Sequence, residues 1–304
     1  MSMAPAMIAK IERPMAPGAV WTRRLGWFSF VLLATIALAH RFGLVETPDL
    51  VPLLGAVLAV VLAALAIGVS AHRRYWYFGD RGGSDIFWGF FWSFATMAPL
   101  ALAAYWYFAY PALVDVSTDT DDPPSMATAS GLRTPDMNPI AAPKQEQAAR
   151  QKEAYPLVEG RRYELGLERV LPAVEALVAR RGWTVTGGQD SVGVALETTM
   201  EALAHSPLLS LPSDVAIRIA DEGTATFVDM RSASRYGSRD FGDNAALISA
   251  FFSDLDVEMT TRTTAIGARP ADGGDGSEAD SPPAEADLQT PESGVPAPQP
   301  RPGE

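Results

Sequence analysis

The residues in this chain best suited to chemistry crowd into one short stretch: Arg231, Ser232, Ser234, Arg235, Arg239 and Asn244, with Asp214, Arg218, Asp229 and Asp240 nearby. Two guanidinium forks, a hydroxyl and the N-terminus of a following helix would make an anion site. Phosphate head groups or acidic envelope sugars would suit it. The competing reading pairs Arg231 with Asp214, and Arg235 with Asp240 or Asp229, fastening strand to helix, which is the commoner use of such residues. A third reading takes Asp214, Asp229 and Glu197 as acid/base carboxylates of a hydrolase, since acid pairs carry no short motif.

Other chemistries lack parts. His205 is the one histidine after the apolar region. It has Ser206 and Ser210 beside it, but no Gly-x-Ser-x-Gly elbow exists, and a solvated loop histidine is the expectation. With no cysteine and no second histidine there, zinc sites and Cys-His pairs are excluded, so no metal ligands are assigned. No glycine-rich phosphate loop or dinucleotide fingerprint appears, and no cofactor is expected. The net charge of -12 argues against a nucleic-acid partner, which requires a basic face.

The elements that would position these residues lie between Tyr155 and Ile266. Leu167, Val170, Leu171, Val174, Leu177 and Val178 recur at helical spacing, and Gly182 ends that helix. Alternation follows. Trp183 and Val185 mark a short strand, and Val192, Val194, Leu196, Thr198 and Met200 share one face of a second, with Glu197 and Glu201 on the other. Val215, Ile217 and Ile219 mark a third, and a fourth runs from Thr224 to Arg235. Ala246, Ile248, Phe251, Phe252 and Leu255 close the domain as a helix capped by Asp240 or Asp243. The pattern predicts an α+β fold: helix, four-stranded antiparallel meander, helix, with both helices on one face. A two-residue hairpin loop at Glu222-Gly223 would pair Ile217 with Val228 and set Asp214 opposite Arg231; a bulged three-residue loop would pair Ile217 with Phe227.

Ahead of this domain the chain changes character. Three runs, Leu25 to Leu44, Leu50 to Val69 and Ile86 to Tyr110, are long enough for a bilayer core that takes roughly 20 apolar residues. A signal peptide is the other reading of the first run, but no small-residue cleavage site precedes a mature start. Gly55, Ala59 and Ala63 form a small-residue face, expected to pack the three spans together, the other reading being that it joins two copies of the protein. The aromatics at both ends of the third run read as interfacial belts. No Asp, Glu, Lys or Arg lies mid-span, so the three helices read as an anchor rather than a transport path.

Lys10, Arg13, Arg23 and Arg24 precede the first span, and Arg73, Arg74 and Arg81 follow the second. Only Arg41 lies between the first two, and Asp115, Asp119, Asp121 and Asp122 follow the third. The positive-inside rule then places the N-terminus and second loop in the cytoplasm and everything after Pro111 outside. The organisation read from the sequence is a cytoplasmic segment (1–24), a three-helix anchor (25–110), a Pro- and Asp-rich linker (111–154) with a short helix from Lys144 to Ala154, the α+β domain (155–266), and an acidic Pro-rich tail (267–304) expected to be disordered.

The run Ser213-Asp214-Val215-Ala216-Ile217-Arg218-Ile219 precedes Val228-Asp229-Met230-Arg231-Ser232-Ala233-Ser234-Arg235-Tyr236-Gly237, then Asp240, Gly242 and Asn244-Ala245. Together with Gly182-Trp183 and the Asp115 to Pro124 segment, it resembles the bacterial family catalogued as domain of unknown function 1499, over roughly residues 115 to 257. Where many relatives have paired Asp residues before the Val-x-Ile-Arg strand, this chain has Ser213-Asp214. Together with the charge pattern, the resemblance implies a bacterial inner-membrane protein with a periplasmic domain; it implies no mechanism. The leading expectation is a non-enzymatic envelope module binding an anionic small molecule, lipid head group or partner protein through the concave sheet face, with Leu208, Leu209 and Leu211 as an apolar lip. The alternatives are a carboxylate-dependent hydrolase acting on an envelope component and a pure scaffold for a membrane complex.

Overall fold

The computed structural model describes residues 13–141, 144–188 and 197–267. Three helices, α1 (Ala19–Arg41), α2 (Thr47–Phe78) and α3 (Gly83–Ala109), are each long and apolar enough to cross a membrane. They mark the chain as a membrane protein. Close approach is made by α1 and α3, where a Cβ added at Gly26 would fall 2.6 Å from the Gly89 carbonyl oxygen. A hydroxyl contact between Ser29 and Thr96, 3.1 Å, crosses the same seam. The expectation for Gly55, Ala59 and Ala63 is overturned: that face points outward, with nothing within 4 Å of a Cβ at Gly55. Instead α2 buries Val57, Val61, Ala64, Gly68 and Ala71, a stripe displaced around the helix. Small residues matter where backbones nearly touch, and here that is the α1–α3 seam.

Beyond α3 follow β1 (Asp115–Ser117), α4 (Ala127–Leu132), α5 (Gln145–Ala154), β2 (Arg161–Tyr163), α6 (Leu167–Arg180), β3 (Thr184–Gly187), β4 (Glu197–His205), β5 (Pro212–Asp221), β6 (Thr226–Ser234) and α7 (Asp243–Gly267). Strands β3 to β6 form the expected antiparallel meander between α6 and α7. Both β1 and β2 pair with β6, end to end, so its outer edge is covered. Val192, Val194 and Leu196 of the expected second strand lie outside the described residues, as do residues 1–12 and the acidic tail from 268 onward.

Alternation along the strands gives the sheet two different faces. One carries Val215, Ile217, Ile219, Val228 and Met230 against Val174 and Leu177 of α6 and Ile248, Phe251 and Leu255 of α7, all buried. Trp183 stacks on Phe251 at 5.6 Å. The other carries Glu201, Asp214, Arg218, Asp229 and Arg231, and residues 118–141 lie over it: Met126, Ala129 and Ile140 pack on Ala216 and Ala233. The stretch expected to be a linker therefore holds a strand and a short helix built into the domain, alongside its expected helix at α5. Its prolines rule out long regular elements; they do not rule out packing. The same cover removes the open concave face expected to serve as a groove.

Both expected registers of the β5–β6 hairpin are corrected. Ile217 pairs with Met230, Ile219 with Val228 and Asp214 with Ala233. The connection is a four-residue loop, 222–225, closed by the Glu222 amide donating to the Ala225 carbonyl at 2.9 Å. Relative to the two-residue loop the strands slide by two residues, which leaves every side chain on its original face. Hydrophobic segregation, the criterion applied to the sequence, cannot detect such a slip.

Candidate functional site

With the slip, the ion pairs change partners. Arg231, 4 % exposed, lies beneath residues 118–141 and donates to both carboxylate oxygens of Asp115, at 3.0 and 2.7 Å. A further bond runs to the Ala141 carbonyl at 2.8 Å. Asp214 takes Arg235 on one side, at 2.7 Å, and Arg133 on the other, at 2.8 Å, and is 1 % exposed. The expected pairs Arg231–Asp214 and Arg235–Asp240 or Asp229 are not formed. Arg218 and Asp229 sit directly opposite one another and pair at 2.6 and 2.9 Å, with Asp122 closing on Arg218 at 2.7 Å. Burial works against the Arg218 charge, but the hydrogen bonds to Asp122 and Asp229 outweigh it, and its pKa lies above the ordinary guanidinium value. Burial, with Asp119 adding to it, raises the Asp229 carboxyl. The fork from Arg218 has the geometry of a charged pair, and we take both groups as ionised.

The remaining expected site residues disperse. Ser232 and Ser234 belong to the apolar face, where Ser232 donates to the Asn244 side-chain oxygen at 2.7 Å and the Asn244 amide donates to Ser234 at 2.9 Å. Asp240 occupies the N-terminus of α7 itself, accepting from the Gly242 and Asn244 amides, both at 3.0 Å. An anion site at that helix end is therefore already filled by a side chain of the chain. Arg239 donates to the Tyr110 carbonyl just past the end of α3 and lies over the Tyr107 ring at 4.8 Å, locking the domain to the third span. Of the six residues expected to bind an anion, Arg235 lines an open cleft.

That cleft, about 460 Å³, lies where the domain meets the ends of α1 and α2. His40, Arg41, Glu46, His205, Arg235 and Tyr236 line it. His40 is only 5 % exposed. Its Nδ1 meets the Val45 carbonyl at 2.9 Å, closing the α1–α2 turn, while its Nε2 is buried without a partner. Because a carbonyl only accepts, Nδ1 carries a hydrogen, and Nε2 is left as an acceptor with no donor. Arg41 donates to the Pro207 carbonyl at 2.7 Å, pinning the β4–β5 loop. Among the described residues neither Arg41 nor Glu46 has an ion-pair partner. The His205 imidazole is held below its ordinary pKa by burial and by the Arg235 charge.

Catalytic alternatives fit this geometry poorly. Both oxygens of Asp214 are engaged by guanidinium groups. Ser213, next to it, faces the opposite side of the sheet, so a second carboxylate at that position would not share a site with Asp214. Ser206 accepts from the Leu211 amide at 3.1 Å, which ties it to the loop. Among the described residues His205 makes no hydrogen bond to Ser206 or Ser210, and no three His, Asp or Glu side chains are grouped to hold a metal ion.

Sequence reasoning missed the cleft because two of its groups, His40 and Arg41, end a membrane span, far in sequence from the polar residues of the domain. The available signal was the short α1–α2 connection, which brings a histidine and an arginine to the same level as His205.

Residues 115–255 match the model of a family described as a protein of unknown function, DUF1499. The match covers the stretch in which the Ser213–Ala245 pattern resembles that same family. No curated protein matches the chain.

Proposed function

We propose that this membrane protein binds a small anionic group bearing a hydroxyl, such as a phosphodiester head group, in the cleft between its domain and the ends of α1 and α2. The observation that carries the reading is His40: a histidine side chain almost wholly buried, one nitrogen spent on the turn and the other unpartnered, beside two arginines. A buried polar atom without a partner costs about 1–3 kcal/mol, so a ligand that satisfies it has a binding advantage built in. Arg41 and the outer edge of Arg235 supply charge, and the His40 Nε2 supplies an acceptor for the hydroxyl. The buried ion pairs of Arg231, Arg218 and Asp214 hold the sheet in place and take no direct part.

The test uses the full chain in detergent with glycerophosphoglycerol as probe. Arg41→Gln keeps a donor for the Pro207 carbonyl and removes the charge, and affinity should fall about tenfold, the worth of a single charged hydrogen bond. Unchanged affinity would remove Arg41 from the site, and no binding by the wild-type chain would end the proposal.

The same reading places the cleft on the non-cytoplasmic side of a bacterial inner membrane. It is supported by Arg23, Arg73, Arg74 and Arg81, which gather at the opposite ends of the spans. The chain has no cysteine, so single substitutions report cleanly. Thr224→Cys should react with a membrane-impermeant maleimide in spheroplasts and Arg73→Cys should not; the reverse pattern would invert the topology.

A further inference from the structure

Resting on that reading, we infer that the anion is carried by a bilayer lipid, which enters the cleft sideways from the leaflet rather than from solution. The cleft sits level with the ends of two membrane spans, because His40 and Arg41 are the last residues of α1 and Thr47 opens α2. Exposed apolar side chains stand on the two loops that contribute to its lining. Phe42 and Leu44 of the α1–α2 turn are 74 % and 81 % exposed, and Leu208 of the β4–β5 loop is 71 % exposed. The bonds from Arg41 to the Pro207 and Leu208 carbonyls bring the two loops together at one edge of the cleft, which Arg41 lines. Leu211, from the same loop, packs among Ile36, Leu50 and Val57 of the spans, which seats the loop against the membrane helices.

Large apolar side chains this exposed on loops beside a polar cleft are unusual on a surface that faces water. At the level where spans end, they are ordinary: aliphatic groups contact acyl chains while Arg41 reaches the head-group layer. A soluble anion would need the polar half of this site and would leave these apolar side chains unexplained. A phosphodiester lipid with a glycerol head group uses both halves, with its acyl chains against Phe42, Leu44 and Leu208, its phosphate near Arg41 and Arg235, and a hydroxyl available to the His40 Nε2.

The test compares three probes on the full chain: phosphatidylglycerol in phosphatidylcholine nanodiscs, phosphatidylcholine nanodiscs alone, and free glycerophosphoglycerol. Retained lipid is read by native mass spectrometry and affinity by titration. Phosphatidylglycerol should be enriched over phosphatidylcholine and bind at least about tenfold more tightly than the free head group. The double variant Leu44→Ser, Leu208→Ser should abolish that tenfold advantage while leaving binding of free glycerophosphoglycerol intact. Equal affinity for lipid and free head group, unaffected by the double variant, would overturn the lipid inference and leave the anion site standing. No binding of either anionic probe would overturn both.

Discussion

The polar layer under residues 118–141 and the cleft at the membrane ends are built from the same kinds of side chain, and they differ in how completely those side chains are satisfied. In the layer every arginine has a carboxylate: Arg231 has Asp115, Arg218 has Asp229 and Asp122, and Arg133 and Arg235 share Asp214. In the cleft Arg41 has only carbonyls and the His40 Nε2 has nothing. A saturated network specifies one packing of the chain and has little capacity left for a ligand. An unsaturated one of similar composition is where a ligand can gain free energy. Arginine-rich motifs therefore point to function only after their partners have been counted.

The largest effect that would break this contrast is expected at Asp214. Asp214→Ala strands Arg133 and Arg235 in a buried site and should destabilise the domain by about 3–5 kcal/mol in denaturant unfolding of the full chain. A loss under about 1 kcal/mol would mean that the layer does not fasten the domain. On the apolar face Ile217→Ala should cost about 2–5 kcal/mol through a cavity. The two losses differ in their remedy. Replacing Arg133, Asp214 and Arg235 together by apolar residues of similar volume should recover most of the first, whereas no change of partner charge should recover the second.

The cleft should respond the other way round, losing affinity and keeping stability. Arg41→Gln should leave the melting temperature within about 2 °C, since no carboxylate is orphaned. A large drop in melting temperature would assign Arg41 to the structural layer.

The smallest expected effect is a pH dependence. Burial and Arg235 depress the His205 pKa, so the free folded chain holds His205 neutral where the unfolded chain is already protonated. Its contribution to stability is therefore lost as pH falls below the ordinary imidazole range. A bound anion reverses the sign by favouring the imidazolium beside Arg41, Arg235 and Glu46. Affinity for glycerophosphoglycerol, whose charge is constant in this range, should rise several-fold between about pH 7.5 and 5.5. His205→Asn should flatten that profile, and a profile unchanged by the substitution would remove His205 from the site.

Much of the fold was legible because it is written in periodicity. Val170, Val174 and Leu177 had to share a helix face, and Val215, Ile217 and Ile219 a strand face, wherever the chain ran. The three spans were legible from length and apolarity. The register of the hairpin was not, because a slip of two residues preserves the face of every side chain. Nor was the role of residues 111–154. A polar, proline-rich segment shows no period, and Asp115, Asp122 and Arg133 declare their purpose only beside partners some 80 to 116 residues away. The expected anion site failed for the same reason: Arg231, Arg235 and Arg239 are neighbours in sequence and point to three different places.

Composition and short-range pattern by themselves determined that this chain has a three-helix membrane anchor and an α+β domain, and which residues form the apolar face of its sheet. Those properties follow from local periodicity and from the transfer free energy of apolar side chains, which depend little on distant parts of the chain. Tertiary structure alone decided which charges cancel and which do not. A charge is neutralised by whatever lies within a few ångströms of it, and that neighbour is set by how the loops close. It paired Arg231 with Asp115, filled the N-terminus of α7 with Asp240, and brought His40 and Arg41 from the end of a membrane span to the side of His205 and Arg235.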